Sequence, residues 1–494
     1  MRLKNATIGG LPQQIRRPAY DRNRLTTGIV HLGIGNFLRA HQAEYTDDAL
    51  GLSGTATDWG ITGISLRRPA TRDALAPQDG LYTLAERDGD GTRFRVIGSI
   101  REIMVASEGI GPVLDAMTHA DVRIVSLTVT EKGYCSDPAT GSLDEADPAI
   151  KHDLENPKNP ASAIGTLVGA LDRRRQAGAP AFTILTCDNL PSNGDTVRGL
   201  VLRFAELRDP ELGRWIEDKV TFPNTMVDRI VPATTDVDRA EVSDALGLND
   251  AWPVATEPFR QWVIEDRFTA GRPDWDHVGA QLVEDVAPFE LMKLRLLNGS
   301  HSTLAYLGYL AGHETVADVM ADPPFDRLIR RLMLSELAPT VPPPPDTDIV
   351  GYQDALCQRF ANPALKHKTY QIAMDGSQKL PQRLLAAARV RLSAGQPLPL
   401  IALGVAGWCR YVGGLDEDGH SIDVDDPLAD RLQAASNSAD DAAGKVRELL
   451  AVEEVFGSDL PTADPFVNQV TRAYESLVYA GARATVDTWC AAAC

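Results

Sequence analysis

Four short apolar runs, rich in β-branched residues, recur through the first half of the chain, and their spacing restricts the possible folds. They cover residues 29–32, 59–66, 123–129 and 181–187, and segments long enough to form helices separate them. Apolar runs of this kind, alternating with helical patterns, are typical of β-α-β units. We therefore expect an α/β fold in which helices cover a parallel sheet.

From about residue 285 the pattern becomes predominantly helical. The segments with a helical pattern are 289–312, 325–337, 354–360, 382–392, 400–411 and 465–480. A chain of 494 residues also exceeds the size at which a single hydrophobic core continues to grow. We therefore predict two domains, an α/β domain over residues 1–285 and a mostly α-helical domain over residues 286–494.

The charge and the cysteines argue against several classes of protein. The net charge is −19 and no basic patch is visible, so no nucleic-acid partner is expected, although local lysines and arginines can still bind a small anion. The six scattered cysteines contain no C-x-x-C pair, which argues against a disulfide framework and a zinc site. No signal peptide and no apolar stretch of about 20 residues is present. We expect a cytoplasmic protein without a metal and without membrane contact.

A glycine turn follows the first apolar run. Gly33 would permit a tight turn, and Gly35 would let the backbone approach a pyrophosphate. Leu38 replaces the third glycine of the usual motif, so an ordinary strand-to-helix turn is the alternative interpretation. Arg67 and Arg68 stand where an acidic residue usually holds the ribose, and arginines suit a 2′-phosphate. The turn indicates a dinucleotide and leaves the choice between NAD and NADP open.

Four polar residues lie on one side of the helix that begins near Pro288. At about 100° per residue, Glu290, Lys293, Asn298 and His301 fall within an arc of about 140°. One interpretation is a solvated surface face. The alternative is a site in which a partly desolvated lysine acts as general base and an amide donates to a developing alkoxide. The combination of amine, amide and imidazole favours a site.

A second amide follows the fourth apolar run. Asn189 comes directly after residues 181–187, and residues at the carboxyl ends of parallel strands face the ligand crevice of such sheets. We therefore expect Asn189 to meet the helix that carries Lys293. The structural alternative is that Asn189 only stabilises the following turn.

Three motifs occur in order along the chain. They are G-x-G-N-F-x-R-A-H over 33–41, T-C-D-N-L-P-x-N-G over 186–194 and K-x4-N-x2-H over 293–301. Together they resemble the mannitol dehydrogenase family of long-chain polyol-specific dehydrogenases, from about Arg17 to the last helices. The resemblance implies a monomeric, metal-free, NAD-dependent enzyme with a Rossmann-type dinucleotide domain and a helical substrate domain.

The resemblance also implies a role for each matching residue. Lys293 would be the general acid/base, and Asn189 and Asn298 would form an oxyanion hole. His301 would orient the substrate hydroxyl, and Glu290 would connect the lysine to solvent protons. The implied nucleotide contacts are Ile29, Leu32, Gly33, Ile34, Gly35, Asn36, Phe37, Arg39, Thr130 and Glu131. The implied substrate contacts are Val227, Asp228, Gln371 and Lys379.

One loop departs from the polyol-specific pattern. Gln371 stands where polyol-type members have arginine, and the segment 367–383 is similar to the fructuronate reductase branch, as are 128–134, 257–265 and 403–408. That similarity implies interconversion of D-mannonate and D-fructuronate. A mannitol 2-dehydrogenase, a related arabinitol or tagaturonate enzyme, and a nucleotide-binding redox sensor are the alternatives. The residue that would hold a substrate carboxylate stays open among Lys379, Lys368 and Arg383.

Overall fold

The chain forms two compact units, Met1–Ala287 and Pro288–Cys494, here called unit 1 and unit 2. The structure, a computed structural model, describes residues 1–53, 57–137, 140–345 and 347–492. The domain boundary expected from the sequence, between residues 285 and 286, stands two residues before the division between the units.

The described residues of unit 1 form three sheets. Its strands are β1 Thr27–Leu32, β2 Gly60–Ser65, β3 Tyr82–Asp88, β4 Gly91–Ile97, β5 Ile100–Val105, β6 Ile124–Leu127, β7 Thr183–Thr186, β8 Thr225–Asp228, β9 Val254–Thr256, β10 Gln261–Glu265 and β11 Gln281–Val283. The largest sheet has the order β5-β2-β1-β6-β7, and all its neighbours are parallel. The two smaller sheets, β11-β10-β8 and β4-β3-β9, each combine parallel and antiparallel pairs.

The four apolar runs become β1, β2, β6 and β7, which confirms the predicted parallel sheet. Counted in chain order within this sheet, the strands follow the arrangement 3-2-1-4-5 of a dinucleotide-binding fold, whose switch point lies beside the first strand. Alternate residues of β1 pack into different hydrophobic clusters. Val30 and Leu32 belong to one cluster and Ile29 to another, because a parallel sheet is buried on both faces.

Helices connect these strands. They are α1 Asn36–Ala40, α2 Gln42–Ser53, α3 Ala70–Leu75, α4 Ile110–Thr118, α5 Pro148–Glu155, α6 Ala163–Gln176, α7 Asn193–Arg208, α8 Pro210–Lys219 and α9 Asp236–Leu246. Short 3-10 turns cover Ile8–Gly10, Arg22–Arg24, Ala76–Gln78, Ala106–Glu108, Glu131–Tyr134 and Asp276–Val278.

From residue 287 onward the regular elements that the structure describes are all helical, which confirms the predicted helical C-terminal region. The α-helices are α10 Ala287–Met292, α11 Ser300–Leu310, α12 Val316–Ala321, α13 Pro323–Arg331, α14 Ile349–Phe360, α15 Thr369–Ala373, α16 Gly376–Leu380, α17 Ala386–Ser393, α18 Pro399–Val412, α19 Ala429–Asn437, α20 Ala442–Leu450, α21 Glu453–Phe456, α22 Asp464–Ala480 and α23 Ala482–Ala492. Stretches of π-helix cover Lys293–Gly299, Leu332–Leu337 and Pro381–Leu385, and 3-10 turns cover Ala338–Thr340 and Leu460–Thr462.

One large apolar cluster forms the core of unit 2, and buried residues of α11 and α18 contribute much of it. Within the described ranges, every helix is too short or too polar to cross a lipid bilayer.

Candidate active site

The glycine turn lies at the switch point of the large sheet. Gly33 adopts a φ of +96°, and a Cβ there would stand 2.0 Å from the carbonyl oxygen of Thr128, which follows β6. A Cβ on Gly35 would meet nothing closer than 3.9 Å. The first glycine is therefore required by the turn itself. The second glycine, Gly35, leaves open the space that a pyrophosphate would need.

Replacing Gly33 with alanine is expected to destabilise unit 1 by about 3 kcal/mol, because positive φ and the contact with Thr128 both penalise a Cβ. The measurement is urea unfolding of the full chain. Gly35→Ala is the matched control and is expected to change stability by less than about 1 kcal/mol. Similar unfolding midpoints for the two variants would contradict this account of the turn.

A buried histidine connects the ends of β1 and β6. Nδ1 of His31 lies 2.7 Å from Ser126 Oγ and Nε2 lies 2.8 Å from Thr128 Oγ1, while the Thr128 hydroxyl donates to the Gly33 carbonyl at 2.8 Å. Since that hydroxyl proton is committed to Gly33, the imidazole donates through Nε2 and accepts through Nδ1. Burial lowers the pKa of His31 to about 3. His31 thus holds the glycine turn as a neutral group.

The depressed pKa of His31 predicts an acid-sensitive fold. The unfolded chain binds a proton at this residue below a pKa of about 6.5 and the folded chain only near 3, so stability falls as pH drops through that window. Between pH 7 and pH 5 the loss is about 2 kcal/mol from this group. His31→Gln should reduce the pH dependence of the unfolding free energy by that amount. The same substitution at exposed His277 is the matched control.

The helix expected after the glycine turn is interrupted. Helix α1 ends at Ala40 and α2 begins at Gln42, with His41 between them at φ −132° and ψ −93°. The buried His41 ring pairs with the Gln261 carbonyl at 2.9 Å and stacks on Phe37 at 4.9 Å. These tertiary contacts outweigh local helix propensity at this position.

The predicted cofactor residues differ in exposure. Gly35 and Thr130 are exposed and Gly33, Asn36 and Phe37 are half-buried, whereas the side chains buried in the protein are Ile29, Leu32, Ile34 and Arg39. The Arg39 guanidinium donates to the Trp252 carbonyl and to Asn36 Oδ1, both at 2.6 Å. We infer that Arg39 supports the turn from inside. The side chain of Glu131 lies outside the described part of the structure.

Asp188 holds the loop that follows β6. Its carboxylate accepts the backbone N–H of Val129 at 2.9 Å and of Thr130 at 3.1 Å, and the Tyr134 hydroxyl donates to it at 2.7 Å. Thr130 has a φ of +64°, which is rare outside glycine. This role of Asp188 was not predicted from the sequence, although a carboxylate directly after a buried strand was a usable signal.

Asn189 and Asn193 of the second motif have different environments. Asn189 is exposed just beyond the carboxyl end of β7. Asn193 is buried at the start of α7, where its amide donates to the carbonyls of Asp188 and Thr225 at 3.0 Å and its Oδ1 accepts the Thr225 N–H at 2.8 Å. Asn193 therefore fixes the segment that presents Asn189.

The lysine helix of unit 2 is not a regular α-helix. A π-helical stretch covers Lys293–Gly299, so the assumption of about 100° per residue is wrong there and the calculated arc does not apply. Extra residues inserted in a helical turn of this kind are frequent at functional sites. The structure also rejects the solvated-face interpretation for three of the four residues, since Lys293, Asn298 and His301 are buried, while Glu290 is half-buried.

His301 lies in α11 with its ring against two others. It stacks on Phe360 at 5.1 Å and meets His367 edge-on at 5.0 Å. Burial, followed by the nearby His367, Arg383, Arg359 and Lys379, holds the pKa of His301 well below its usual value. Nε2 of His301 has no hydrogen-bond partner within the described residues. A neutral imidazole with an unused nitrogen is suited to a substrate hydroxyl.

The predicted substrate residues belong to separate elements. Val227 and Asp228 are buried in β8 of unit 1. In unit 2, Gln371 is exposed on α15, and the Lys379 amine donates to the Met374 carbonyl at 2.5 Å. The N-terminus of α16 is anchored from elsewhere, because the Ser377 N–H and hydroxyl donate to the Asp426 carboxylate at 2.7 and 2.6 Å.

Known proteins resemble this chain over nearly its whole length. The model of the mannitol dehydrogenase Rossmann domain matches residues 27–277, and that of the mannitol dehydrogenase C-terminal domain matches residues 285–478. The chain is 51% identical to the D-mannonate oxidoreductase of Escherichia coli, covering 96% of this chain and 97% of the relative. It is 42% identical to a mannitol 2-dehydrogenase of Phaeosphaeria nodorum, covering 96% and 83% respectively.

A solved structure extends the similarity to the fold. The ternary complex of Pseudomonas fluorescens mannitol 2-dehydrogenase with NAD and D-mannitol superimposes with a TM-score of 0.90 at 42% identity, covering 99% of each chain. Together with the two family models, this similarity shows that the chain belongs to the mannitol dehydrogenase family and is an NAD-dependent oxidoreductase that acts on CH–OH groups.

Proposed function

We propose that this enzyme interconverts D-mannonate and D-fructuronate, using NAD. The observation that most supports this substrate pair is the 51% identity to a D-mannonate oxidoreductase over 96% of the chain, against 42% for the mannitol 2-dehydrogenases cited above. The exposed Gln371, at the position where polyol-type members have arginine, also supports this substrate pair. Family membership among oxidoreductases argues against a non-catalytic redox sensor.

The residues at the switch point fit a dinucleotide. The open side of Gly35 and the exposed residue Thr130 leave room there, and His31 and Asp188 hold the two loops. NAD, when bound, supplies the redox chemistry by accepting a hydride from the alcohol carbon or returning it to the C5 carbonyl. Preorganised loops reduce the entropy lost when a ligand is ordered.

The remaining chemistry belongs to side chains. We assign to Lys293 the proton transfer at the substrate oxygen, because a buried amine loses its proton more readily than an exposed one. Asn189 and Asn298 donate N–H groups to that oxygen as negative charge develops. His301 orients a neighbouring hydroxyl, and half-buried Glu290 passes protons between the lysine and solvent.

The test compares three ketoses under identical conditions. Purified enzyme is supplied with D-fructuronate, D-tagaturonate or D-fructose, each with NADH and with NADPH, in buffer containing EDTA because no metal is expected to be required. We expect the highest kcat/KM with D-fructuronate and NADH. Preference for D-fructose would replace this proposal with a mannitol 2-dehydrogenase activity, and preference for D-tagaturonate with a tagaturonate reductase. The predicted monomer is checked by light scattering on the same preparation.

A further inference from the structure

Two neighbouring imidazoles of unit 2 each have a nitrogen without a hydrogen-bond partner in the described part of the chain. These atoms are Nε2 of His301 and Nδ1 of His367. The rings meet edge-on with centroids 5.0 Å apart, and the His301 ring also stacks on Phe360 at 5.1 Å. A buried polar atom left without a partner costs about 1–3 kcal/mol, so two at one place indicate a ligand group that is not part of the protein.

Positive charge surrounds this pair. Arg383 reaches it from the π-helical stretch Pro381–Leu385 and donates to the Ser302 hydroxyl at 3.0 Å, directly beside His301. Buried Arg359 precedes Phe360 on α14. Arg383, Arg359 and Lys379 all oppose protonation of His301. Burial, together with the nearby Lys379 amine, lowers the pKa of His367 to about 4. Such a field favours an anionic ligand.

The structure also discriminates among the lysines considered for a carboxylate. Lys368 is exposed and forms an ion pair with Glu314 at 3.0 Å. Lys379 donates to the Met374 carbonyl at 2.5 Å and lies 4.0 Å from the Asp375 carboxylate, which offsets part of its charge. Neither observation accounts for the unused nitrogen of His367.

We propose that His367 is a specificity-determining residue that donates its Nδ1–H to the carboxylate of a sugar acid, inside a subsite made electropositive by Arg359 and Arg383. His301, next to it, binds an adjacent hydroxyl of the same molecule. The proposal rests on the sugar-acid function proposed above and names the residue that selects it. Because His367 is neutral near pH 7, it acts through hydrogen bonding, and the arginines supply the charge.

The size of the effect follows from hydrogen bonding to a charged group. Such a bond contributes about 1.5–3 kcal/mol, which corresponds to about 10- to 100-fold in affinity. A neutral polyol presents a hydroxyl in place of the carboxylate and depends much less on this donor. Loss of the donor should therefore weaken sugar-acid binding selectively.

The test measures dissociation constants by calorimetry on the full-length enzyme–NADH complex, with D-mannonate and with D-mannitol. The variants are His367→Ala, which removes the donor, His367→Asn, which keeps an N–H near the Nδ1 position, and His367→Gln, which places it farther out. Arg431→Ala is the control, since this arginine of α19 is exposed and paired with Glu454, and neither residue belongs to the proposed subsite. Melting temperatures report whether each variant folds, and if the alanine variant does not, the Asn and Gln variants carry the comparison.

We expect His367→Ala to raise the Kd of D-mannonate about 10- to 100-fold and that of D-mannitol less than about threefold, with substantial recovery in His367→Asn but not in His367→Gln. An unchanged Kd for D-mannonate, or equal weakening of both ligands, overturns the role of His367. These outcomes are distinct from failure of the proposed function, which would show as a higher kcat/KM of the unmodified enzyme for D-fructose than for D-fructuronate.

Discussion

Lys293→Ala is expected to lower kcat for D-fructuronate reduction by about 10²- to 10⁴-fold near neutral pH, because the variant lacks the amine to which we assign proton transfer at the substrate oxygen. Lys293 is buried within the π-helical stretch Lys293–Gly299, and burial favours the neutral form of an amine over the charged form. The measurement is steady-state turnover, accompanied by the Kd of NADH, which should change little.

Two companion variants make the Lys293 prediction specific. Lys293→Arg keeps a positive charge but has a pKa too high for proton transfer near neutral pH, so its kcat for mannonate oxidation should also be low. Lys445→Ala removes a lysine of α20 in the same unit, outside the proposed site, and should behave like the unmodified enzyme. Near-normal turnover in Lys293→Ala would show that another group moves the proton.

Asn298→Ala should reduce kcat by about 10²- to 10³-fold, since an amide that donates to a developing oxyanion acts mainly in the transition state. Its side chain is buried and forms no hydrogen bond to any other residue that the structure describes, which leaves the amide available to a ligand. Asn298→Asp should be at least as impaired, because a carboxylate repels the same negative charge. Rapid-mixing measurements of the reductive step separate this effect from substrate binding.

The control for Asn298 is Asn437→Ala, which removes an exposed amide at the end of α19. It is expected to change neither kcat nor KM. If Asn298→Ala raised KM while leaving kcat intact, the amide would contribute equally to ground-state and transition-state binding, and its assignment to an oxyanion hole would be wrong.

Local sequence patterns were sufficient for the large parallel sheet and for the helical second half, but they did not indicate the two smaller mixed sheets. The strands β1, β2, β6 and β7 could be located because each is a short apolar run. The hydrophobic period of a strand or a helix is visible within a few residues of sequence. The glycine turn could be located for the same reason, since the requirement for positive φ at Gly33 is a property of that residue. The parallel sheet and the helical second half followed from these signals.

The geometry of the predicted site could not be derived from hydrophobic periodicity alone. Lys293, Asn298 and His301 could be identified as one polar set, but their burial, and the π-helix that changes their angular spacing, depend on packing that no local pattern encodes. Arg39 illustrates the same limit, because its interior partner Trp252 lies 213 residues away in the chain.

The sequence by itself determined which elements form and which residue types can perform the chemistry, because propensity and hydrophobic period act between near neighbours. Only the tertiary structure decided which buried polar atoms have hydrogen-bond partners. Nδ1 of His31 pairs with Ser126, which lies 95 residues away in the chain, whereas Nδ1 of His367 has no partner among the described residues. Hydrogen-bond satisfaction depends on partners brought together by the whole fold, and for that reason the proposed carboxylate subsite emerged only from the structure.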